Sequence, residues 1–153
     1  MDFIFDVLQN TRQKLSAIMD SLSVEELNRI PLGFNNNIIW NIGHILVSEQ
    51  LLVYKLSGIE PCLSMDMINA YRKDSKPTSA LSRGDINEIK NLLSSTIKKT
   101  KVDYTAGIFK SYNTYTVSTT GNTLTNVNEA LQFAAIHEGL HYGYVLALVK
   151  ALG

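Results

Sequence analysis

The chain contains three histidines, and each lies in an apolar segment that is predicted to be helical. His137 and His141 are four residues apart, so on a helix they lie on the same face, one turn apart. Both continue the apolar stripe of the last predicted helix, and His44 lies in the middle of an earlier one. Two helices that cross in the core of a bundle can bring such imidazoles to one point. We therefore predict that His44, His137 and His141 bind one divalent metal ion together.

The alternative is that these histidines are ordinary core residues. A single buried histidine is more often a hydrogen-bonded structural residue than a ligand, and this would explain His44 alone. The pair on the last helix is harder to explain, because each neutral imidazole needs both a donor and an acceptor. The neighbours of His137 and His141 on that helix offer neither a side-chain donor nor a side-chain acceptor; they are Ala134, Leu140, Val145 and Leu148. A divalent cation would satisfy one nitrogen of each ring, and imidazole sites accept Zn, Ni, Fe or Cu.

Residues 137–141 also spell H-E-x-x-H, the motif in which zinc proteases use two histidines as ligands and the glutamate as general base. That class normally has a third ligand downstream, but no His, Glu, Asp or Cys follows His141. We therefore do not favour a peptidase. Glu138 is interpreted as a carboxylate that either supports the ligands or lies in solvent.

A site with three neutral histidines leaves at least one coordination position open, which is typical of catalytic rather than structural zinc sites. Such an ion can lower the pKa of a bound water to ~7, or hold a thiolate for attack on an electrophile. No Ser-His-Asp triad competes, because every histidine is used at the metal site. Cys62, beside Pro61 in a predicted loop, is interpreted as an incidental thiol. Catalytic residues beyond the ligands stay unassigned.

Two segments resemble a known family. Residues 37–44, Asn-Ile-Ile-Trp-Asn-Ile-Gly-His, followed by Glu49, resemble the second helix of the DinB-like proteins of the DinB/YfiT superfamily. The segment His137-x-x-x-His141-x-Gly143 resembles the end of their fourth helix. The resemblance covers essentially the whole chain in helix order and length. One departure is Tyr144, because the family often has glutamine at this position.

This resemblance implies a single four-helix bundle domain over residues 1–153 with an up-down-down-up path. It also implies a divalent metal, with zinc and nickel as the leading candidates, held by His44, His137 and His141 at one cavity. Members are often homodimers. Characterised relatives include thiol-dependent transferases and isomerases that use bacillithiol, mycothiol or glutathione, so the expected partner is a small-molecule substrate or a thiol.

The apolar spacing predicts four helices that would position the histidines. The first covers about residues 2–20, with a buried face of Phe3, Val7, Thr11, Leu15, Ile18 and Leu22. The second helix is capped by one of the three asparagines at 35–37 and ends near residue 57. Gly58 follows it at the position where a left-handed glycine commonly ends a helix. The third begins at Asp85, and the fourth extends from the cap at Asn126 to about residue 152. The sequence therefore predicts an all-α bundle.

The connections between these helices are less regular. Residues 23–26 form a predicted capping box for one short turn, and residues 64–71 a short helix. Residues 111–126 carry no charge and suit a long connection or a small hairpin that turns near Gly121 and Asn122. A plain connection is the simpler interpretation, and a cover over the mouth of the metal cavity is the alternative.

Composition excludes several classes of partner. The 153 residues carry 14 Lys plus Arg and 14 Asp plus Glu, and this balance removes the electrostatic case for nucleic acid. Residues 38–54 and 130–149 are apolar but contain ionisable groups that a membrane span would exclude, so we expect no membrane association. One cysteine and an acidic start without an export signal predict a cytoplasmic protein.

Two functions of different class are consistent with these features. The first is a metal-dependent enzyme that transfers a low-molecular-weight thiol or hydrolyses a small substrate. The second is a non-catalytic dimeric binding or stress-response module with a structural or empty metal site.

The last helix also carries Tyr142, Tyr144 and Leu146 away from its histidine stripe, so it has a second apolar face to bury. We therefore predict a homodimer.

Overall fold

The computed structural model describes residues 1–153 and shows the predicted all-α architecture. Four long helices make up most of the chain, and short helices and one hairpin connect them. In chain order the elements are α1 (Asp2–Ser21), α2 (Val24–Asn28), α3 (Ile38–Val53), a 3₁₀ turn (Lys55–Ser57), α4 (Met65–Tyr71), α5 (Arg83–Thr105), β1 (Tyr115–Thr116), β2 (Thr123–Leu124) and α6 (Val127–Ala151).

The helix boundaries follow from local capping chemistry, much as the sequence predicts. Asn37 caps α3 by accepting a hydrogen bond from the Trp40 amide, and Asn126 caps α6 by accepting one from the Glu129 amide. After the 3₁₀ turn the chain reverses at Gly58, which has a φ of 73°. These side chains satisfy backbone N–H groups that a helix leaves without internal partners.

Two predicted details of the long helices are wrong. Helix α5 begins at Arg83, because Ser82 is its cap and Asp85 closes the capping box as the third residue of the helix. The predicted buried face of α1 is rotated, since Phe3 is 79% exposed and Val7 is also exposed. The face that packs inward consists of Phe5, Leu8, Arg12, Leu15 and Met19. Because Arg12 lies in the middle of this buried face, the spacing of apolar residues alone does not identify the face.

A small hairpin lies between α5 and α6, as one of the two predictions for residues 111–126 has it. Strands β1 and β2 are antiparallel, with Tyr115 opposite Leu124 and Thr116 opposite Thr123. Gly121 has a φ of 76° in the connecting loop, a conformation that glycine adopts without strain. The connection between α5 and α6 therefore contains a two-stranded hairpin within an otherwise irregular segment.

Helix α3 is the central element of the fold. It packs against α6, α5 and α4, while α1 packs against α5 and α6. Nearly every residue of α3 is buried, which explains why its sequence is apolar on all sides. No helix combines the length and the apolar composition that crossing a bilayer requires.

A buried ionic cluster joins all four long helices. Arg12 of α1 is 2% exposed; its Nε donates to Glu138 of α6 at 3.1 Å and its Nη1 to Thr96 of α5 at 2.9 Å. The carboxylate of Glu49 on α3 lies 3.8 Å from Nη2 of Arg12 and accepts a hydrogen bond from Thr100 at 2.8 Å. Because a buried charge without a partner is costly, this cluster constrains how the helices fit together.

Candidate metal centre

The structure brings the three predicted histidines together. His44 projects from α3, and His137 and His141 project from successive turns of α6. The ring centroids are 4.5 to 5.1 Å apart, and one nitrogen from each ring lies within 4.8 Å of the others. Three imidazole nitrogens this close together form a donor set that can hold a divalent metal ion.

His44 is oriented by groups on both sides of its ring. Its Nδ1 lies 2.7 Å from the backbone carbonyl of Tyr71, and because a carbonyl can only accept, this nitrogen carries the proton. Its Nε2 therefore carries the lone pair, which accepts a hydrogen bond from the hydroxyl of Ser48 at 3.3 Å and which a bound metal ion would take instead. The indole of Trp40 stacks on the ring at 4.9 Å, with only 8° between the planes. The ring is thus held in the tautomer that presents Nε2.

The contact between Tyr71 and His44 depends on a glycine in α3. A Cβ atom added at Gly43 would lie 2.5 to 2.7 Å from three ring atoms of Tyr71. The absence of a side chain at this position therefore lets α4 lie directly on α3. This close approach places the carbonyl of Tyr71 beside His44.

His141 is oriented by an amide from the opposite helix. Its Nδ1 lies 2.9 Å from Oδ1 of Asn41 on α3. The Nδ2 group of Asn41 donates to Oδ1 of Asn36 and to the backbone carbonyl of Asn37, so the oxygen of Asn41 is the atom that faces the histidine. Nδ1 of His141 must then donate, and its Nε2 is free for a metal. Such outer hydrogen bonds to histidine ligands are typical of metal sites.

These contacts correct one step of the sequence argument. Neighbours on α6 indeed give the histidines no polar partner, and Leu140 among them is exposed rather than packed beside the rings. The partners come instead from other elements: Asn41 for His141 and the carbonyl of Tyr71 for His44. Neither could be found from spacing along α6, because both depend on how α3 and α4 pack.

Burial keeps all three imidazoles neutral. Loss of solvent is the largest cause that lowers the pKa of His137 to about 3, and the neighbouring His141 and His44 lower it further. Burial, followed by His44, lowers the pKa of His141 to about 4. Burial also lowers the pKa of His44, against the hydrogen bond to Tyr71, which raises it. Neutral rings are the form that binds a metal ion.

The glutamate of the H-E-x-x-H motif is not part of this cluster. Glu138 is 2% exposed, accepts its hydrogen bond from Arg12 and does not line the cavity beside the histidines. Burial raises its pKa, an effect that the charge of Arg12 opposes. Of the two roles that the sequence left open, a solvated carboxylate is wrong, and no hydrogen bond between Glu138 and a histidine supports the other. The geometry of a zinc protease is absent. The side chain of Glu138 instead joins α6 to α1.

The histidines face a cavity of about 410 Å³. One wall consists of apolar side chains of α3 and α6 together with the loop that follows α3. The hairpin forms part of another wall through Tyr115, Val117, Ser118 and Thr119. Part of residues 111–126 thus lines the cavity, and the interpretation of this segment as a cover over the cavity mouth stays a prediction.

Comparison with known proteins agrees with this geometry. The sequence model of the DinB superfamily matches residues 8–145, a region that includes all three histidines. The protein belongs to the DinB superfamily. No curated protein matches the sequence. In this DinB-superfamily protein the three imidazole nitrogens are themselves suitable metal ligands. The cluster is therefore compatible with metal binding whether or not the family match is considered.

The contact between Gly43 and Tyr71 gives a first prediction. We expect Gly43→Ala to push α4 away from α3 and to weaken the hydrogen bond between Tyr71 and His44. The variant should bind metal about 10-fold more weakly, as for other losses of outer hydrogen bonds, and lose about 1–3 kcal/mol of stability through overpacking. Competition with a chromogenic chelator and urea unfolding measure the two effects. Gly84→Ala is the control, since its Cβ would meet Ser82 at an ordinary 3.5 Å; an equal loss in both variants would contradict the explanation.

The lowered pKa values give a prediction for the metal-free protein. Between pH 7 and pH 5 the unfolded chain takes up protons on histidines of ordinary pKa ~6.5, whereas native His137 and His141, with pKa values of about 3 and 4, do not. Stability is therefore nearly full at pH 7 and decreases as the pH falls, by about 2 kcal/mol for each of the two histidines, or about 4 kcal/mol together, at pH 5.

Urea unfolding of chelator-treated protein at both pH values tests this dependence. The variant with His137→Asn and His141→Asn is the control, because asparagine does not titrate. It should lose clearly less stability over the same interval. Carboxylates contribute in the same way to both proteins, so their effect cancels. An identical loss in the two proteins would show that the histidines are not buried in their neutral form.

Proposed function

We propose that this protein is a metal-dependent enzyme that acts on a small molecule, either by transferring a low-molecular-weight thiol or by hydrolysing a small substrate. The observation that carries the proposal is the position of the histidine cluster, which opens onto a cavity large enough for a small organic molecule. A closed structural site would instead surround its ion with four protein ligands. His44, His137 and His141 would hold the ion, with zinc or nickel as the first candidates.

The bound ion would supply Lewis acidity and stabilise negative charge on a group brought into the cavity. The chain's own residues prepare the site for that task. Asn41 and the carbonyl of Tyr71 hold two imidazoles in the tautomer that offers Nε2. Leu52 and Phe133 line the cavity beside the histidines, and such apolar walls exclude water and strengthen electrostatic interactions. Ser48 places a hydroxyl next to His44, where it can hydrogen-bond to a substrate.

One observation favours a non-catalytic alternative. No aspartate, glutamate or cysteine lines the cavity, so a general base of the usual kind is lacking beside the histidines. A binding or stress-response module would need none. The two functions differ in whether the metal accepts an added ligand, because an enzyme site must exchange ligands whereas a structural site does not.

Metal content and ligand exchange test the proposed site. Wild-type protein purified without a metal-affinity column should bind one divalent ion per chain, and His137→Ala or His141→Ala should reduce the content to near zero. Phe133→Leu, which changes a neighbour of His137 without removing a donor atom, should retain the ion. Unchanged stoichiometry in both histidine variants would rule out a shared site.

Cobalt-substituted protein distinguishes the enzyme from the binding module. Addition of a small thiol should produce a sulfur-to-cobalt charge-transfer band if the coordination position is open. A spectrum that does not respond to thiols, to carboxylates or to pH would favour the module.

We also propose that the chain forms a homodimer through α6. Ile136, Leu140 and Tyr144 follow one another at four-residue spacing and are 58%, 54% and 38% exposed. Gly139 and Gly143 lie between them, and a Cβ atom added at either would meet nothing within 4 Å. The result is an exposed apolar helix face, which a second copy of the same helix could cover.

Light scattering at micromolar concentration should therefore give the mass of a dimer for the wild type. Leu140→Lys introduces a charge into the centre of this face and should yield a monomer. Leu32→Lys is the control, because Leu32 is fully exposed but lies in the loop between α2 and α3. A monomeric wild type, or an equal effect of both substitutions, would contradict an α6 interface.

Two further proposals concern the domain organisation and the cellular compartment. We regard residues 1–153 as one four-helix bundle domain, which the mutual packing of α1, α3, α5 and α6 supports. We place the protein in the cytoplasm, a reducing compartment with which a single free cysteine, Cys62, is consistent.

A further inference from the structure

Two lysines lie at the cavity that the histidines face. Lys55 is the first residue of the 3₁₀ turn after α3, and Lys73 lies in the turn after α4. Neither lysine belongs to any of the five ion pairs of the protein. The cavity lining contains no acidic side chain that could balance them. Two unpaired cations at one cavity are notable in a chain whose formal net charge is zero.

The backbone that carries Lys73 is tied to the histidine cluster. Trp40, which stacks on His44, donates from Nε1 to the hydroxyl of Ser75 at 3.2 Å, and this hydroxyl donates to the carbonyl of Ala70. Asp74, in the same turn, has a φ of 67°, an unfavourable conformation for a residue with a side chain. Such strain persists only where surrounding contacts hold the backbone in place. Lys73 is therefore presented from an anchored turn.

The charge of the cavity determines the sign of its ligand. Lys55 and Lys73 contribute a formal charge of about +2 to a lining that contains no acidic side chain, and a bound divalent ion would raise this to about +4. Clefts with low-dielectric walls focus such a field and concentrate molecules of opposite charge. A ligand with at least one negative group away from the metal would balance this charge, whereas a neutral ligand would not.

The remaining residues of the cavity lining indicate which chemical groups the rest of the ligand would carry. Leu51, Leu52, Leu56, Val117 and Phe133 provide apolar surface between the polar groups of the cavity. We propose that Lys55 and Lys73 bind the anionic group of a small organic acid, whose apolar portion packs against Leu52 and Phe133 and whose other end reaches the histidine cluster. This inference rests on the proposed function, because it takes the cavity to be the substrate site.

Matched probes test the inference. 4-(Mercaptomethyl)benzoate and 4-(mercaptomethyl)benzamide share a thiol and an aromatic ring, and differ in the charge of the group at the far end. Calorimetric titration into zinc-loaded protein at low ionic strength should show about 10-fold tighter binding of the benzoate, in keeping with ion pairs to two solvent-exposed lysines at the cavity, each contributing about threefold to fivefold. This preference should shrink in 0.15 M salt, where the screening length is about 8 Å.

Lysine variants assign the effect to residues. Lys55→Gln and Lys73→Gln should each weaken benzoate binding about threefold to fivefold, and the double variant should bind the two probes equally. Lys55→Arg and Lys73→Arg keep the charge and should keep the preference. Lys14→Gln removes an unpaired lysine on α1 outside the cavity and should change nothing. Equal binding of both probes to the wild type, or a preference that survives in the double glutamine variant, would overturn the inference.

The same titrations with metal-free protein separate this inference from the proposed function. If zinc does not bind, or does not strengthen either probe, the proposed function fails. The preference for the benzoate and its loss in the lysine variants can still be measured in that case, since the lysines are charged without the metal. If zinc strengthens both probes but no preference appears, the proposed function stands and the role of the lysines is wrong.

Discussion

The contact on which the rest of the structure depends is the buried ionic cluster at Arg12. Its guanidinium lies between Glu138 of α6 and Glu49 of α3, the two helices that also carry the histidines. Removing one partner of such a cluster would leave a buried charge uncompensated, which typically costs about 3–5 kcal/mol. Glu138 follows His137 directly, so one turn of α6 faces Arg12 on one side and the cavity on the other. A shift of α6 along α3 would therefore disrupt the ionic cluster and the histidine cluster together.

The same residues serve helix formation and the orientation of the histidines. Asn37 caps α3, and its backbone carbonyl accepts a hydrogen bond from Asn41, the residue that orients His141. The side chain of Asn37 also donates to the carbonyl of Asn28, which ties the end of α2 to the start of α3. The hydrogen bonds that start α3 thus also determine which nitrogen of His141, on a different helix, is protonated.

What could be predicted from the sequence is what local rules determine. The asparagine caps, Gly58, the hairpin and the shared face of His137 and His141 all follow from spacing or from backbone preferences within a few residues. The features that were missed depend on contacts distant in sequence. The buried face of α1 is one of these features, because Arg12 belongs to it only through two carboxylate partners that lie on other helices. Lys55 and Lys73 gave no signal either, since only the packing of α3 and α4 brings both to one cavity.

The placement of charge connects the fold to the chemistry of the cavity. Glu49 and Glu138 could each have neutralised an ion at the histidines, but they face Arg12, and the lysines lie on the cavity side. A carboxylate ligand would lower the charge of a metal centre and with it the capacity to stabilise an anion. With three neutral imidazoles as the donor set, that capacity is kept for whatever enters the cavity. The buried ionic cluster therefore does more than join helices, because it keeps the carboxylates of Glu49 and Glu138 away from the cavity that we propose as the site of an anionic ligand.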